Sequence, residues 1–161
     1  MIPSQPSVTR SLMKRPNIEI TAGAYLFAAV YVLLLPLDWI AGWLIAVTIH
    51  EVGHLAVLRW FSIPINEIRI GPCGAKISTG HLTSTQELLC AGAGPACSFL
   101  LVTFRKYLPI VAMIGLIQGM FNLIPVYPLD GGRMLRSTVN LVREIYLTRK
   151  IPCKEQDLRV Q

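Results

Sequence analysis

The stretch WIAGWLIAVTIHEVGHLAVLRWF, from Trp39 to Phe61, is apolar enough for a membrane span, yet it contains two histidines and a glutamate. A helix that crosses the hydrocarbon core needs about 20 mostly apolar residues. Ionisable side chains in lipid are costly unless they have a partner or a function. The stretch therefore predicts a transmembrane helix that holds a buried polar site.

Three further apolar runs accompany this helix in a chain of 161 residues that is 53% hydrophobic and 15% charged. They extend approximately over 20–36, 88–104 and 107–124. Four such runs leave too little polar sequence to coat a soluble domain. The predicted fold is an all-α integral membrane protein with about four transmembrane helices.

The basic residues of the chain, whose net charge is +6, are unevenly placed along these helices. Thirteen lie in the N-terminal tail, in or beside the loop between the second and third helices, and in the C-terminal region, whereas only Arg105 and Lys106 lie between the third and fourth. The positive-inside rule then predicts a multi-pass protein with both termini in the cytoplasm. The same placement explains the net charge without nucleic acid as a partner.

Two segments outside the predicted spans have patterns of their own. Residues 63–77 alternate isoleucine with polar residues around a turn at 71–74, which predicts a short β-hairpin or re-entrant loop. Non-helical backbone is tolerated inside a membrane only where it packs against protein or lines a water-filled cavity. After Gly132, apolar and basic residues fall on opposite faces of a predicted amphipathic helix at the cytoplasmic membrane surface. The predicted domains are a polar cytoplasmic tail at 1–19, a membrane domain at 20–132 and a cytoplasmic helix and tail at 133–161.

The polar residues of the opening stretch have metal-binding spacing. His50 and His54 are one helical turn apart, so both imidazoles can reach one metal ion, and Glu51 can contact a water bound to it. This H-E-x-x-H pattern is typical of zinc proteases, in which three protein ligands and a water complete the site. The pattern therefore predicts zinc and a third ligand elsewhere in the chain.

Three residues are candidates for the third ligand: His81, Glu87 and Asp130. His81 and Glu87 lie where the loop meets the third helix. Asp130 belongs to FNLIPVYPLDGGR, where Pro125 and Pro128 break the fourth helix. A kinked segment of this kind can bring a carboxylate back to a metal held on another helix.

Three motifs, in this order, resemble the site-2 protease family of intramembrane metalloproteases: HEVGH, AGAGPACSF and NLIPVYPLDGG. The family carries H-E-x-x-H in one transmembrane helix and N-x-x-P-x-x-P-L-D-G near the end of a later one, and the resemblance covers residues 20–135. It implies one Zn²⁺ per chain, three metal ligands, a catalytic acid/base and a contact to the substrate or developing oxyanion. The implied metal ligands are His50, His54 and Asp130. The implied catalytic acid/base is Glu51, and Asn122 is the residue that would contact the substrate or the oxyanion.

The resemblance implies an intramembrane zinc metalloprotease that hydrolyses a peptide bond of a membrane-tethered substrate in regulated intramembrane proteolysis. Its expected partners are that substrate, the lipid bilayer and a regulatory membrane protein. Without PDZ or CBS segments, the chain is most similar to the small sporulation factor IVFB-type members of bacterial cell membranes, which process a membrane-associated sigma-factor precursor.

Two other classes of protein stay open beside the protease. A catalytically inactive membrane adaptor, or pseudoprotease, would keep the fold but usually lose one of the four metal-site residues. A metal transporter would carry ionisable residues along a pathway, whereas here they cluster at one site. For the protease, the 63–77 hairpin is expected either to bind an unwound substrate as an added strand or to act as a structural plug.

Overall fold

The computed structural model of the chain describes residues 17–71 and 74–150. The predicted tails at 1–16 and 151–161 lie outside the described residues. A short 3₁₀ turn, Leu101–Phe104, continues the third helix. The elements, in chain order, are β1 (Asn17–Ile20), α1 (Ala22–Leu34), α2 (Leu37–Trp60), β2 (Ile65–Gly71), β3 (Gly74–Thr79), α3 (Ser84–Leu100), α4 (Pro109–Asn122) and α5 (Asp130–Lys150).

Two of these helices are long and apolar enough to cross a membrane. They are α2, with 24 residues, and α3 with its 3₁₀ extension, with 21 residues. Only 28% of the apolar window of α2 and 33% of that of α3 are buried, so most of their surface faces outward. A core helix of a soluble protein would instead be mostly covered by protein, so the two helices support the predicted membrane protein.

The other two predicted spans form shorter helices, so four transmembrane helices are not confirmed. Helix α1 has 13 residues and α4 has 14, against the roughly 20 that a full crossing needs. The apolar run before α2 is longer than its helix because its first residue, Ile20, lies in strand β1 and Leu35 caps α1 before Pro36. In α4, Pro109 is the first helical residue and the helix ends at Asn122, before Pro125.

Helix α2 packs through residues spaced four apart along one face. This buried row consists of Gly42, Ala46, His50, His54 and Leu58. Side chains at four-residue spacing form a ridge that fits the groove of a neighbouring helix. The ridge packs against α3 and α4, and therefore both histidines point into the helix bundle and away from its outer surface.

A small sheet lies beside the helices, with β2 between β1 and β3. Strand β2 runs antiparallel to β3, with Ile68 opposite Ile77, which confirms the hairpin predicted at 63–77. Strand β1 runs parallel to β2, with Ile18 opposite Ile68. This third strand was not predicted, and it includes residues 17–19 of the segment assigned to the polar tail.

Charged contacts join two strands of this sheet, and a backbone hydrogen bond connects the sheet to the beginning of α1. Arg69 of β2 pairs with Glu67 at 2.7 Å and with Glu19 of β1 at 3.2 Å. These carboxylates raise the pKa of Arg69, chiefly through the hydrogen bond that Arg69 donates to Glu67. Thr21, the residue between β1 and α1, donates its backbone N–H to the carbonyl of Ile70 at 3.0 Å. The beginning of α1 is therefore attached to the central strand.

Helix α5 starts at Asp130, three residues before the predicted boundary of the C-terminal region. A tight return after α4 makes this possible, because Gly131 lies directly against the backbone carbonyl of Leu123, where a larger residue would collide. The first part of α5 packs on α3 and buries Ser137, whereas Val142 and Tyr146 further along are exposed. The return and the packing on α3 place Asp130 inside the bundle.

Candidate metal centre

The two histidines of the H-E-x-x-H pattern lie together on the buried face of α2. His50 is 3% exposed and His54 is 6% exposed, and the centroids of their rings are 4.9 Å apart. Their Nε2 atoms are separated by 3.3 Å. The helical spacing read from the sequence therefore produces the expected pair of converging imidazoles.

Asp130 is the third candidate ligand that the fold brings to this pair. Its Oδ2 atom lies 3.1 Å from His50 Nε2 and 3.2 Å from His54 Nε2. The other two candidates do not belong to this group of three: Glu87 lines the cavity beside it, but its carboxylate pairs with Arg133 at 3.9 Å, and His81 is exposed. Among the described residues, His50, His54 and Asp130 form the one group whose ligand atoms all lie within 4.8 Å of one another.

The geometry and chemistry of this group fit a bound zinc ion. A tetrahedral zinc with bonds of about 2.0–2.1 Å holds its ligand atoms about 3.3 Å apart. The three separations here are 3.1, 3.2 and 3.3 Å. Two imidazole nitrogens and a carboxylate oxygen are donor atoms that zinc takes in proteins. The donor set therefore matches a metal site.

Hydrogen bonds between the imidazoles and groups of α3 orient both rings. His54 Nδ1 donates to the backbone carbonyl of Cys90 at 2.8 Å, which leaves the lone pair of Nε2 for a metal. His50 Nδ1 lies 2.8 Å from the hydroxyl of Ser98. These two contacts were missed by sequence reasoning, although Cys90, Gly94 and Ser98 repeat every four residues and so share one face of α3.

Arg133 contacts the opposite side of the Asp130 carboxylate. Its Nη1 atom lies 3.7 Å from Asp130 Oδ1, while Oδ2 faces the histidines. Arg133 also pairs with Glu87 of α3. A positively charged neighbour on one oxygen favours the orientation in which the other oxygen points to the metal.

The metal group opens into a cavity of about 540 Å³ whose wall includes the proposed catalytic residues. Glu51 is partly buried and lines this cavity. Asn122, at the end of α4, also lines it and places Nδ2 3.3 Å from His50 Nε2. Ile77 and Thr79 of β3 also line this cavity. The predicted site residues thus meet around one space large enough for a peptide segment.

Gly94 allows the close approach of α3 to the metal group, and this makes a testable prediction. A Cβ atom at position 94 would collide with the His54 ring and come within 2.8 Å of His50 Nε2. We expect Gly94→Ala to lower zinc affinity on the order of 10–100-fold, because both ligands must shift. Chelator competition on the purified protein measures this affinity.

Gly92→Ala is the matched control for this experiment on the same helix. A Cβ atom at position 92 would meet only the flexible end of Met134, at 3.6 Å, which is an ordinary contact. Zinc affinity in this variant should equal that of the parent protein. Unchanged affinity in Gly94→Ala as well would show that α3 does not constrain the ligands.

Comparison with known proteins links this site to a family. The model of peptidase family M50 matches residues 101–152, a segment that contains Asn122 and Asp130. A zinc metalloprotease of Methanocaldococcus jannaschii is 30% identical in an alignment of length 110 that covers 60% of this chain and 32% of that protein. A Synechocystis protein provisionally named a zinc metalloprotease is 32% identical in an alignment of length 123 that covers 63% of this chain and 32% of the relative. The chain thus spans about a third of the length of these curated relatives.

A solved structure shares the fold as well. The site-2 protease from Methanocaldococcus jannaschii matches with a TM-score of 0.64 and 26% sequence identity, over 76% of this chain and 66% of that one. The names of the relatives and the structural match are consistent with a metalloprotease that uses zinc. This chain is therefore similar to peptidase family M50 in its family model and curated relatives, and to a site-2 protease in its fold.

Proposed function

We propose that the protein is an intramembrane zinc metalloprotease that hydrolyses a peptide bond of a membrane-tethered protein. The observation that carries this proposal is the convergence of His50, His54 and Asp130 beside Glu51 on a helix long and apolar enough to cross a membrane. Ionisable residues inside a membrane cost free energy, and they are typical of functional sites. The names of the curated relatives support the same chemistry.

The residues around the cavity supply the parts of a hydrolytic mechanism. His50, His54 and Asp130 would hold zinc, which when bound polarises the scissile carbonyl and makes water more acidic. Glu51 accepts the proton of the attacking water and delivers it to the leaving amine. Asn122 can donate its side-chain N–H to the developing oxyanion, since it lies beside His50.

A substrate segment must be unwound before it reaches these residues, because a helix uses its backbone groups in its own hydrogen bonds. Strand β2 is paired on both sides, so within residues 17–71 and 74–150 the open edges of the sheet belong to β1 and β3. Ile77 and Thr79 place β3 at the cavity. We therefore favour β3 as the strand on which an extended substrate is held, and not a plug role for the hairpin.

The identity of the substrate and the subgroup are part of the same proposal. We propose a membrane-associated precursor of a transcription factor, such as a sigma factor, and regulated proteolysis under the control of a second membrane protein. Within the family that the motifs resemble, we propose the small sporulation factor IVFB-type subgroup, although the two curated relatives described above do not carry its name. Cleavage of a sigma-factor precursor by the purified protein would test this choice.

The proposed membrane topology makes a prediction of its own. Both termini should be cytoplasmic in a bacterial cell membrane, because thirteen of the fifteen basic residues lie on their side. Tags at either terminus should be shielded from a membrane-impermeant reagent, and a reporter between Phe104 and Tyr107 should be accessible. A C-terminus labelled from outside would contradict the multi-pass topology.

Zinc content and cleavage, measured on one reconstituted preparation, separate the three classes of function. A protease should hold about one zinc per chain and cleave a membrane-tethered peptide. An adaptor should bind the peptide without cleaving it. A transporter should move metal across the vesicle membrane without cleavage, and either of these outcomes would overturn the proposed activity.

A further inference from the structure

A second, apolar cleft lies next to the metal cavity, on the side where α1 and α4 flank α2. Its volume is about 400 Å³, and its wall includes Tyr31 of α1, Trp43 of α2 and Phe121 of α4. Helix α1 packs chiefly on α2 and β2 and has no buried residue, so it leaves this cleft open beside α4. The cleft is therefore an apolar space bordered by α1, α2 and α4.

Gln118 of α4 belongs to the walls of both spaces. It lines the apolar cleft and also the cavity that contains the metal group. On α4, Gln118 precedes Asn122 by one helical turn, so both carboxamides lie on one face, and Asn122 in turn lies 3.3 Å from His50. Gln118, Asn122 and His50 thus lie one after another between the cleft and the metal group.

The side-chain carbonyl of Gln118 is a buried acceptor that lacks a donor. Its Oε1 atom is inaccessible to solvent and has no hydrogen-bond partner among the residues that the structure describes. Leaving such a group unsatisfied is costly, and more so in a segment surrounded by apolar residues. The terminal torsion of a glutamine side chain is soft, so the carboxamide can turn Oε1 towards either space that Gln118 lines. An occupant there that offers an N–H or O–H group would then remove this cost.

We infer that Gln118 binds the backbone of an unwound substrate segment as it passes from the apolar cleft into the metal cavity. Lipid tails have no hydrogen-bond donor, and the N–H groups of an intact helix are already used. An extended peptide has free N–H groups for Oε1 and apolar side chains for the cleft. This inference rests on the proposed protease function and deepens it, by naming a substrate-binding residue and the route of the substrate.

The first test measures binding and turnover separately, with a synthetic probe in lipid vesicles. The probe is a peptide with one leucine- and alanine-rich apolar segment, interrupted by glycines at its cytoplasmic end and labelled with a fluorophore. We expect Gln118→Met to raise the KM of the probe by about 3- to 10-fold, which corresponds to the loss of one hydrogen bond. The Kd, measured in proteins that also carry Glu51→Gln, should rise by the same factor. The kcat should stay within about twofold.

Leu116→Met is the matched control, since Leu116 lies on the same helix and lines neither space. Its KM and Kd should equal those of the parent. Thermal unfolding distinguishes substrate binding from a structural role: Gln118→Met should keep or raise Tm, because the unsatisfied acceptor is gone. A lowered Tm with unchanged Kd would overturn the inference.

A second test asks whether the backbone of the probe is the group recognised. N-methylation of single peptide bonds removes one N–H at a time. At one position, N-methylation should weaken binding of the probe to the parent protein. The same N-methylation should not weaken its binding to Gln118→Met further, so the effects of the two changes are non-additive. If N-methylation at every position weakened binding to both proteins equally, Gln118 would bind a water molecule and not the peptide backbone. That result would overturn the inference.

The two readouts also separate this inference from the proposed activity. Binding that depends on Gln118 in a protein that never cleaves would support the inference and overturn the protease. Cleavage with equal KM in the parent and in Gln118→Met would support the protease and overturn the inference. Failure of the probe to bind either protein would overturn the inference as well.

Discussion

Glu51→Gln is expected to lower the rate of peptide hydrolysis by about 10²–10⁴-fold, the usual contribution of a general base, while zinc stays bound. The carboxylate lines the metal cavity but is not one of the three ligand atoms that converge there. Glutamine keeps the shape of the side chain but cannot accept the proton of the attacking water. Zinc analysis and cleavage of a membrane-tethered peptide in vesicles measure the two properties together.

A glutamate far from the cavity provides the control for this variant. Glu144 on α5 is exposed and hydrogen-bonds the hydroxyl of Ser84 at 2.8 Å, so Glu144→Gln should cleave at the parent rate. If Glu51→Gln also cleaved at that rate, the general base would be another group. If the parent itself cleaved no tethered peptide, the adaptor class would replace the protease.

His54→Ala is expected to empty the metal site, which in the parent protein should hold about one zinc per chain. A catalytic zinc is held by three protein ligands, and this variant would leave two of them. The hydrogen bond that fixes the ring to the carbonyl of Cys90 would be lost as well. Metal analysis after dialysis against a weak chelator measures the occupancy, and full retention of zinc would disprove the ligand set.

Two further variants define the ligand set around His54. His81 is exposed and stands apart from the metal group, so His81→Ala should keep its zinc. Asp130→Asn should weaken zinc binding, because a neutral amide oxygen replaces the carboxylate between the two histidines. Comparison of Asp130→Asn with Glu51→Gln separates loss of the metal from loss of the proton acceptor.

The placement of the metal group could be predicted because its signals are local. One helical turn fixes the relation of His50 to His54 in any helix. The prolines after α4 predicted the end of that helix, and Asp130 follows them in the sequence. Helix positions were also predicted within a few residues, because apolar runs and prolines mark where helices begin and end.

The remaining features depend on contacts between distant segments. Strand β1 pairs with β2 about 50 residues further along, and nothing in its four residues specifies that partner. The carbonyl of Cys90 that orients His54 is a backbone group, which every residue possesses. Span length was overestimated because hydropathy counts apolar residues, whereas Ile20 belongs to the sheet and Leu35 caps α1. Gln118 did carry a signal, as a lone carboxamide in the apolar part of α4.

The buried row of α2 limits how this chain can change in evolution. Each residue added to a helix rotates everything beyond it by about 100°. A single insertion between Ala46 and His50 would therefore turn both imidazoles away from Asp130, whereas a point substitution on the exposed face would leave them in place. Insertions and deletions should thus be absent between Gly42 and Leu58 in active relatives, and length variation should be confined to the segments that join the helices.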